Sequence, residues 1–222
     1  MKAKNLLVAL GLAGLLGSVA SAASVTSYNT STSTLDCGAA VLCTPNGAQS
    51  VILGTGGNTV TLTYVPGAGG TNVGLPSTIP FGAIVATSAG VNTSYSLAGL
   101  IFTIKITDTV LGVTGDLVGA GGGSLSTNTS SLALFDFSPN NTTTPSFGTR
   151  PGVVLSAGGT SLTYQIASPV FLISPSDGSP AGQVSIQGFV SDNSVPEPSS
   201  MFLMGSALVG LGALARRKTR KS

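Results

Sequence analysis

The feature that most constrains the fold is a period of two in four separate segments, where apolar side chains alternate with polar ones. In TVTLTYV, for example, Val60, Leu62 and Tyr64 alternate with threonines. The other three segments are LIFTIKIT (100–107), SLTYQI (161–166) and GQVSIQG (182–188). Because successive side chains of a strand point to opposite faces, this pattern predicts half-buried antiparallel strands.

Shorter apolar segments add further strand candidates, and clusters of Gly, Pro, Asn and Ser separate them. These segments begin at Gln49, Gly82, Leu132, Gly152 and Val170. The separating residues favour turns, because Gly and Asn accept a positive φ and Pro fixes φ. No segment between residues 23 and 195 keeps an apolar period of 3.6. We therefore predict an all-β fold of roughly eight to ten short strands, as a single β-sandwich or jelly-roll-like domain.

Three segments are predicted to lie outside regular strands. GAGGGS (119–124) lacks the Gly-Lys-Ser/Thr ending of a phosphate-binding loop and is interpreted as a flexible connection. GLPSTIP (74–80) is interpreted as a turn, and SVTSYNTSTST (24–34) as a linker or a frayed first strand. Gly-rich polar chains also occur as disordered proteins, but the recurrent Val, Ile, Leu and Phe residues favour a folded body.

The N-terminus has the three parts of a secretory signal peptide. Lys2 and Lys4 precede an apolar run over residues 6–16, and Ala20 and Ala22 occupy the cleavage positions. The run is too short for a permanent span of about 20 residues. A buried N-terminal helix is the alternative interpretation. We predict a signal peptide over residues 1–22, which implies the Sec export machinery as a partner.

The charge of the body differs from that of the whole chain, whose net charge is +2. Between residues 23 and 195 there are two basic residues and six aspartates, which gives a net charge of −4. A nucleic-acid binder needs a clustered basic surface to neutralise phosphates. The sequence therefore predicts that the body, residues 23–194, does not bind nucleic acid.

Two cysteines, Cys37 and Cys43, enclose the short apolar sequence GAAVL. In an exported chain two cysteines indicate a disulfide bond first. Closing so short a loop stabilises a fold by about 2 kcal/mol in the chain-entropy model. A metal site is not expected, because the chain has no histidine and no second cysteine pair.

The sequence predicts no catalytic residue, no metal site and no cofactor. The absence of histidine excludes Ser-His-Asp and Cys-His arrangements. Lys105 is expected to face solvent rather than serve a Ser–Lys pair, because it alternates with apolar residues. Asp108 and Asp116 bracket a candidate hairpin, where aspartates more often cap turns than act as a glycosidase pair. Single turn aspartates, such as Asp177, do not form the spaced cluster that tight calcium binding needs.

The C-terminus combines a short apolar segment with a basic tail. Residues 199–215 would form a helix about 26 Å long, barely enough to cross a hydrocarbon core of about 30 Å. The tail contains five basic residues, which predict a cytoplasmic end and a body on the opposite side of the membrane. These residues are Arg216, Arg217, Lys218, Arg220 and Lys221.

Val195, Pro196, Glu197 and Pro198 precede the apolar segment and the basic tail. With this order of parts, the C-terminal segment, residues 195–222, resembles the PEP-CTERM sorting signal of Gram-negative bacteria, which is also catalogued as the C-terminal domain of ice-binding proteins. The resemblance implies recognition by an exosortase, a membrane-embedded peptidase, with processing near the Pro–Glu–Pro motif. The prolines hold that motif extended. A plain tail anchor with a proline-rich stalk is the alternative interpretation.

The resemblance also implies a destination: transient anchoring in the inner membrane with the body periplasmic, then the cell surface or extracellular matrix. Family members are linked to exopolysaccharide and biofilms. We therefore expect a non-enzymatic surface or matrix protein, with exopolysaccharide as a partner. A binding domain for carbohydrate, calcium or ice is the second hypothesis, and an enzyme is the third. Thr59, Thr61 and Thr63 lie on one predicted strand, without a threonine ladder that continues to others.

Overall fold

The computed structural model describes residues 25–89, 93–127, 132–137, 151–175, 182–193 and 206–207. The body is all-β, which confirms the predicted fold class. Its strands in chain order are β1 (Val25–Asn29), β2 (Thr34–Asp36), β3 (Cys43–Pro45), β4 (Ser50–Thr55), β5 (Asn58–Pro66), β6 (Gly70–Gly74), β7 (Ser77–Ala89), β8 (Ser94–Ser96), β9 (Ile101–Asp108), β10 (Val113–Ser126), β11 (Ala133–Asp136), β12 (Gly152–Ala157), β13 (Thr160–Ile166), β14 (Val170–Phe171) and β15 (Gly182–Asp192).

The strands form two antiparallel sheets that share one core. Sheet A has the order β14-β11-β10-β9-β1-β6, with β2 also paired to β9 and β8 to β10. Sheet B has the order β12-β13-β15-β7-β5-β4-β3. Aromatic contacts join the two sheets: the ring of Tyr64 on β5 lies 5.0 Å from that of Phe102 on β9.

The predicted alternation is confirmed in both sheets. On β9, Phe102, Ile104 and Ile106 are buried, whereas the intervening Thr103 and Lys105 are only partly buried. On β5, Val60, Leu62 and Tyr64 are buried in the same way, with the threonines between them on the outer face. A period of two is therefore a reliable guide to the core-facing side chains of this chain.

Two features of the predicted strand map are wrong. Fifteen strands are present among the described residues, more than predicted, because β2, β3, β8 and β14 are too short for a detectable pattern. The turn expected over residues 74–80 already belongs to β7 from Ser77 onward. Of the two interpretations of residues 24–34, the first strand is confirmed and the linker is wrong, since β1 pairs with both β9 and β6 inside sheet A.

The run GAGGGS is a strand rather than a flexible connection, because it lies within β10 and pairs with β11. The neighbouring backbone explains the glycines. A Cβ at Gly121 would lie 2.3 Å from the carbonyl oxygen of Leu97, and Gly123 has a φ of +72°. Glycine is needed here because another chain segment passes close to this strand.

Candidate functional site

The predicted sorting motif follows directly on the last strand of sheet B. β15 ends at Asp192, and the backbone N–H of Asn193 donates to the carbonyl oxygen of Ser161, at 2.8 Å. The side-chain amide of Asn193 also donates to the Thr163 hydroxyl. The chain is therefore held on β13 through residue 193, two residues before the motif begins at Val195.

The predicted terminal sites lie outside the described residues. These are the cleavage residues Ala20 and Ala22, the motif residues Val195, Pro196, Glu197 and Pro198, and the basic residues Arg216, Arg217, Lys218, Arg220 and Lys221. Of the segment predicted to cross the membrane, only Ser206 and Ala207 are described, and both are helical and exposed. The described part of the chain has no helix that is both long and apolar enough to span a bilayer.

Both termini of the body leave it at the same end. Val25, at the start of β1, pairs with Gly74 on β6. Leu75 and Pro76 then lead to Ser77 on β7, which pairs with Val190 near the end of β15. Strand partners are about 5 Å apart and three residues span at most about 10 Å, so Val25 and Val190 lie within about 20 Å of each other. We call this the terminal end of the body.

The disulfide-closed loop lies at the opposite end. Cys37 and Cys43, the predicted pair, form a disulfide bond with their Cα atoms 5.5 Å apart. The loop follows β2 and leads into β3, whose residue Cys43 faces Leu53 near the far end of β4. Its apolar residues Val41 and Leu42 are exposed. The bond therefore fixes an apolar loop far from the two chain termini.

A buried carboxylate, Asp108, is the centre of a polar network inside the body. One of its oxygens, Oδ1, accepts hydrogen bonds from the backbone N–H groups of Val110 and Leu111, both at 2.9 Å. The other, Oδ2, accepts hydrogen bonds from the hydroxyls of Tyr164, at 2.7 Å, and Thr26, at 2.5 Å. Asp108 is fully buried, and it both caps the β9–β10 turn and ties together the two sheets.

The buried tyrosines around this network stay neutral. Burial, with a smaller effect of Tyr64, raises the pKa of Tyr28 to about 12. Burial also raises the pKa of Tyr64, although the nearby hydroxyls of Thr30 and Ser33 oppose this shift. The pKa of Tyr164 is raised mainly by burial, and the Asp108 carboxylate adds to the effect. Their hydroxyls therefore remain hydrogen-bond donors at physiological pH.

The structure does not bring Asp108 and Asp116 together. Asp116 faces Lys105 across the β9–β10 pair, and its side chain is exposed, whereas Asp108 points into the core. The Lys105 ammonium lies 3.9 Å from the Asp116 carboxylate, an exposed ion pair of little energetic value. The two aspartates therefore lie on opposite faces of sheet A. Among the described residues, no three acidic, cysteine or histidine side chains cluster as metal ligands.

The outer face of sheet B contains a small open pocket of about 190 Å³. Its polar side chains are Thr78, Gln165 and Gln187, and Phe189 supplies an aromatic ring. Opposite Ile186 and Gln187, β7 has one extra residue, Phe81, which marks a bulge in β7 at this point. Bulges redirect side chains, so this irregularity contributes to the shape of the pocket.

Two of these features were missed by the sequence interpretation. Asp108 caps a turn as predicted, but its contact with Tyr164, which joins residues 56 positions apart, was not foreseen. The alternation pattern itself places Asp108 on the same face as Ile104 and Ile106, which was a usable signal of burial. The pocket had no such signal, because Gln165 and Gln187 come from different strands and the bulge depends on the fold.

Comparison with known proteins adds one finding. No curated protein and no solved structure matches the chain. The family model of the PEP-CTERM protein-sorting motif matches residues 194–218, which begin one residue after the end of the hydrogen-bonded region at Asn193. The motif marks an exported protein that is sorted by an exosortase, a membrane peptidase. The resemblance seen in the sequence is thus confirmed: the chain carries a PEP-CTERM protein-sorting motif.

Proposed function

We propose that this chain is a non-enzymatic surface or matrix protein, exported by the Sec machinery and released at the cell surface or into the extracellular matrix after exosortase processing. The observation that carries the proposal is the sorting motif at residues 194–218. An N-terminal signal over residues 1–22 and a basic C-terminal tail give a consistent topology, with the body periplasmic and the tail cytoplasmic.

The shape of the body supports this topology. Both termini leave at the terminal end, Val25 within about 20 Å of Val190 by the strand pairings. A body attached at one end can fold while the signal peptide and the C-terminal segment are both still in the same membrane. The opposite end, which includes the Cys37–Cys43 loop, then points away from the membrane.

The surface of sheet B suits a role in a hydrated polysaccharide matrix. Its outer face contains Thr59, Thr61 and Thr63 on β5, with the Thr63 hydroxyl 3.1 Å from that of Ser50. Uncharged hydroxyls can hydrogen-bond to glycan hydroxyls without the cost of desolvating a charge. An ice-binding array gains little support: Thr61 faces Thr87 on β7 but Ile52 on β4, so the threonines do not continue across the sheet.

Replacing Pro196, Glu197 and Pro198 together by alanine should abolish sorting and leave export intact. The extended, charged segment that a peptidase would bind is lost, while the signal peptide is unchanged. In the producing cells, the full-length protein should accumulate in the inner membrane and little should reach the medium or surface. Immunoblots of fractionated cells measure this distribution.

A matched control changes Ser199 and Ser200 to alanine, which alters the adjacent residues and keeps the Pro–Glu–Pro sequence. This variant should be processed like the wild type. If the triple alanine variant is also processed and sorted normally, the exosortase proposal is wrong and the segment is a plain anchor.

A second candidate function is carbohydrate binding, and the pocket of Gln165, Gln187 and Phe189 favours it. Planar amides offer a donor and an acceptor together, which suits adjacent sugar hydroxyls, and an aromatic ring offers an apolar surface to a sugar ring. Neither glutamine amide hydrogen-bonds to another side chain within the described ranges. Both amides are therefore available to a ligand.

Replacing Gln187 by alanine should weaken binding to exopolysaccharide purified from the producing strain by about tenfold, the typical value of one or two lost hydrogen bonds. Gln183 is the matched control, because it is an exposed glutamine on the same strand and lies outside the pocket. Binding is measured by co-sedimentation. Equal binding by the wild type, Gln187→Ala and Gln183→Ala would show that the pocket does not bind the exopolysaccharide.

A further inference from the structure

One sheet edge differs from all the others in the described structure. Most strands at the ends of the two sheets are poor templates for pairing, because they are short or irregular. β14 has two residues, β3 has three and includes Pro45, and β6 contains two glycines and a register shift against β1. β12, at the end of sheet B, has six residues, Gly-Val-Val-Leu-Ser-Ala, with no charge and no proline.

The backbone groups on the free side of β12 follow from its pairing with β13. Ala157 and Thr160 close a two-residue hairpin, in which the closing pair is hydrogen-bonded. Every second residue before Ala157 therefore also bonds to β13, and the carbonyl oxygen of Pro151 indeed accepts from Ile166. The N–H and C=O groups of the residues between them point outward. These outward-facing residues are Gly152, Val154 and Ser156.

Packing holds this edge in place. Val153 and Leu155 point inward onto β10, where a Cβ at Gly115 would lie 2.7 Å and 2.5 Å from their side chains. Such close contact requires glycine at position 115 and keeps β12 against the core. Val154 points to the opposite face and is 57% exposed. The edge is therefore a regular, fixed strand that presents an exposed valine.

We propose that β12 pairs antiparallel with β12 of a second copy of this chain, about a two-fold axis at Val154. In this register Val154 faces its own copy, and Gly152 faces Ser156. The residues of these three pairs all have outward groups, so the two edges form about six hydrogen bonds, two for each pair. The two copies of sheet B then join into one continuous sheet.

The side chains of β12 make a second copy the best occupant of this edge. A strand that pairs with itself must place each residue opposite an acceptable partner, and like charges opposite each other destabilise a sheet. Here valine faces valine and the smallest residue faces serine, with no charge on the strand. Two-fold dimers with the same patch on both subunits are the commonest protein assemblies. The inference stands independently of the sorting and glycan proposals.

The test uses the variant Val154→Cys in the full chain, solubilised in mild detergent, because antiparallel pairing turns the terminal ends of the two copies in opposite directions. The chain has only two cysteines and both are in the disulfide bond, so the introduced thiol is the one available for cross-linking. Facing Cα atoms of a hydrogen-bonded pair lie about 5.5 Å apart, within the range that a disulfide bond spans. Mild oxidation should give a covalent dimer on a non-reducing gel.

Val118→Cys is the matched control, because Val118 is also 57% exposed but lies on β10, away from the edge. Its dimer yield should be lower by about tenfold, since no symmetric partner lies within disulfide distance. Equal yields from the two variants would show random collision and overturn the proposal. The same holds if Val154→Cys gives no dimer, for example because residues 138–150 of its own chain cover the edge.

A second variant, Val154→Pro, removes an outward N–H and no hydrogen bond to β13. In detergent, the dissociation constant of the full-chain dimer, measured by analytical ultracentrifugation, should rise at least about tenfold, because two hydrogen bonds across the axis are lost. Circular dichroism checks that the sheets are retained. A wild-type chain that is monomeric, or a folded proline variant that dimerises as tightly as the wild type, would contradict the proposal.

Discussion

Replacement of Asp108 by alanine should lower the free energy of unfolding by about 3–5 kcal/mol, the usual cost of breaking a buried, fully bonded polar network. The carboxylate accepts four hydrogen bonds, from Val110, Leu111, Tyr164 and Thr26. Alanine supplies no acceptor, so two turn N–H groups and two hydroxyls lose their partner in a region without solvent. Burial makes each loss costly, because water cannot replace the missing acceptor.

Urea unfolding of the purified full chain in mild detergent measures this change, with tyrosine emission as the probe, since the chain has four tyrosines and no tryptophan. Asp116→Ala is the control. Asp116 is exposed and makes only the long ion pair with Lys105, so its loss should change the free energy of unfolding by less than about 1 kcal/mol.

An asparagine at position 108 separates the acceptor role from the charge. Its amide oxygen can still accept from Val110 and Leu111, whereas its NH₂ group now meets the hydroxyls of Tyr164 and Thr26. Hydroxyls can accept as well as donate, so the network can rearrange. We expect a loss of about 1–2 kcal/mol, between the wild type and the alanine variant. Equal stability of the wild type and Asp108→Ala would show that the network does not hold the sheets together.

The sequence predicted the local part of this fold well. A period of two is a property of neighbouring residues, so it identified the buried face of β9 from Phe102, Ile104 and Ile106 before the sheet was known. The same pattern could not show that β12 pairs only with β13 and therefore lies at the edge of sheet B. Edge position depends on which strands come together from distant parts of the chain.

The sorting motif was predictable for a similar reason. The motif is continuous in sequence: it consists of Val195 to Pro198, the apolar segment and the basic tail. A peptidase can recognise such a linear segment without residues from other parts of the fold. The pocket of Gln165 and Gln187 needs two strands and a bulge, and the network of Asp108 needs three strands from both sheets. Neither could be assembled from the order of residues alone.

Replacement of Gly121 by alanine should cost about 1–3 kcal/mol, the range for inserting a methyl group into a packed region. The added Cβ would lie 2.3 Å from the carbonyl oxygen of Leu97 and 2.9 Å from the Cβ of Leu100. These atoms belong to a turn that hydrogen-bonds to β10, through the Gly121 N–H and the Leu100 carbonyl, at 2.9 Å. Backbone atoms cannot rotate aside as a side chain would, so the turn or the strand must shift.

The adjacent glycine is the matched control, since a Cβ at Gly122 would meet only the Leu134 side chain, at an ordinary 3.4 Å. Gly122→Ala should change the free energy of unfolding by less than about 0.5 kcal/mol, because alanine also restricts the unfolded chain. A flexible connection, as the sequence suggested, would accept alanine equally at both positions. Unequal unfolding midpoints for the two variants would therefore establish that GAGGGS is a strand with one face pressed against the backbone of a neighbouring turn.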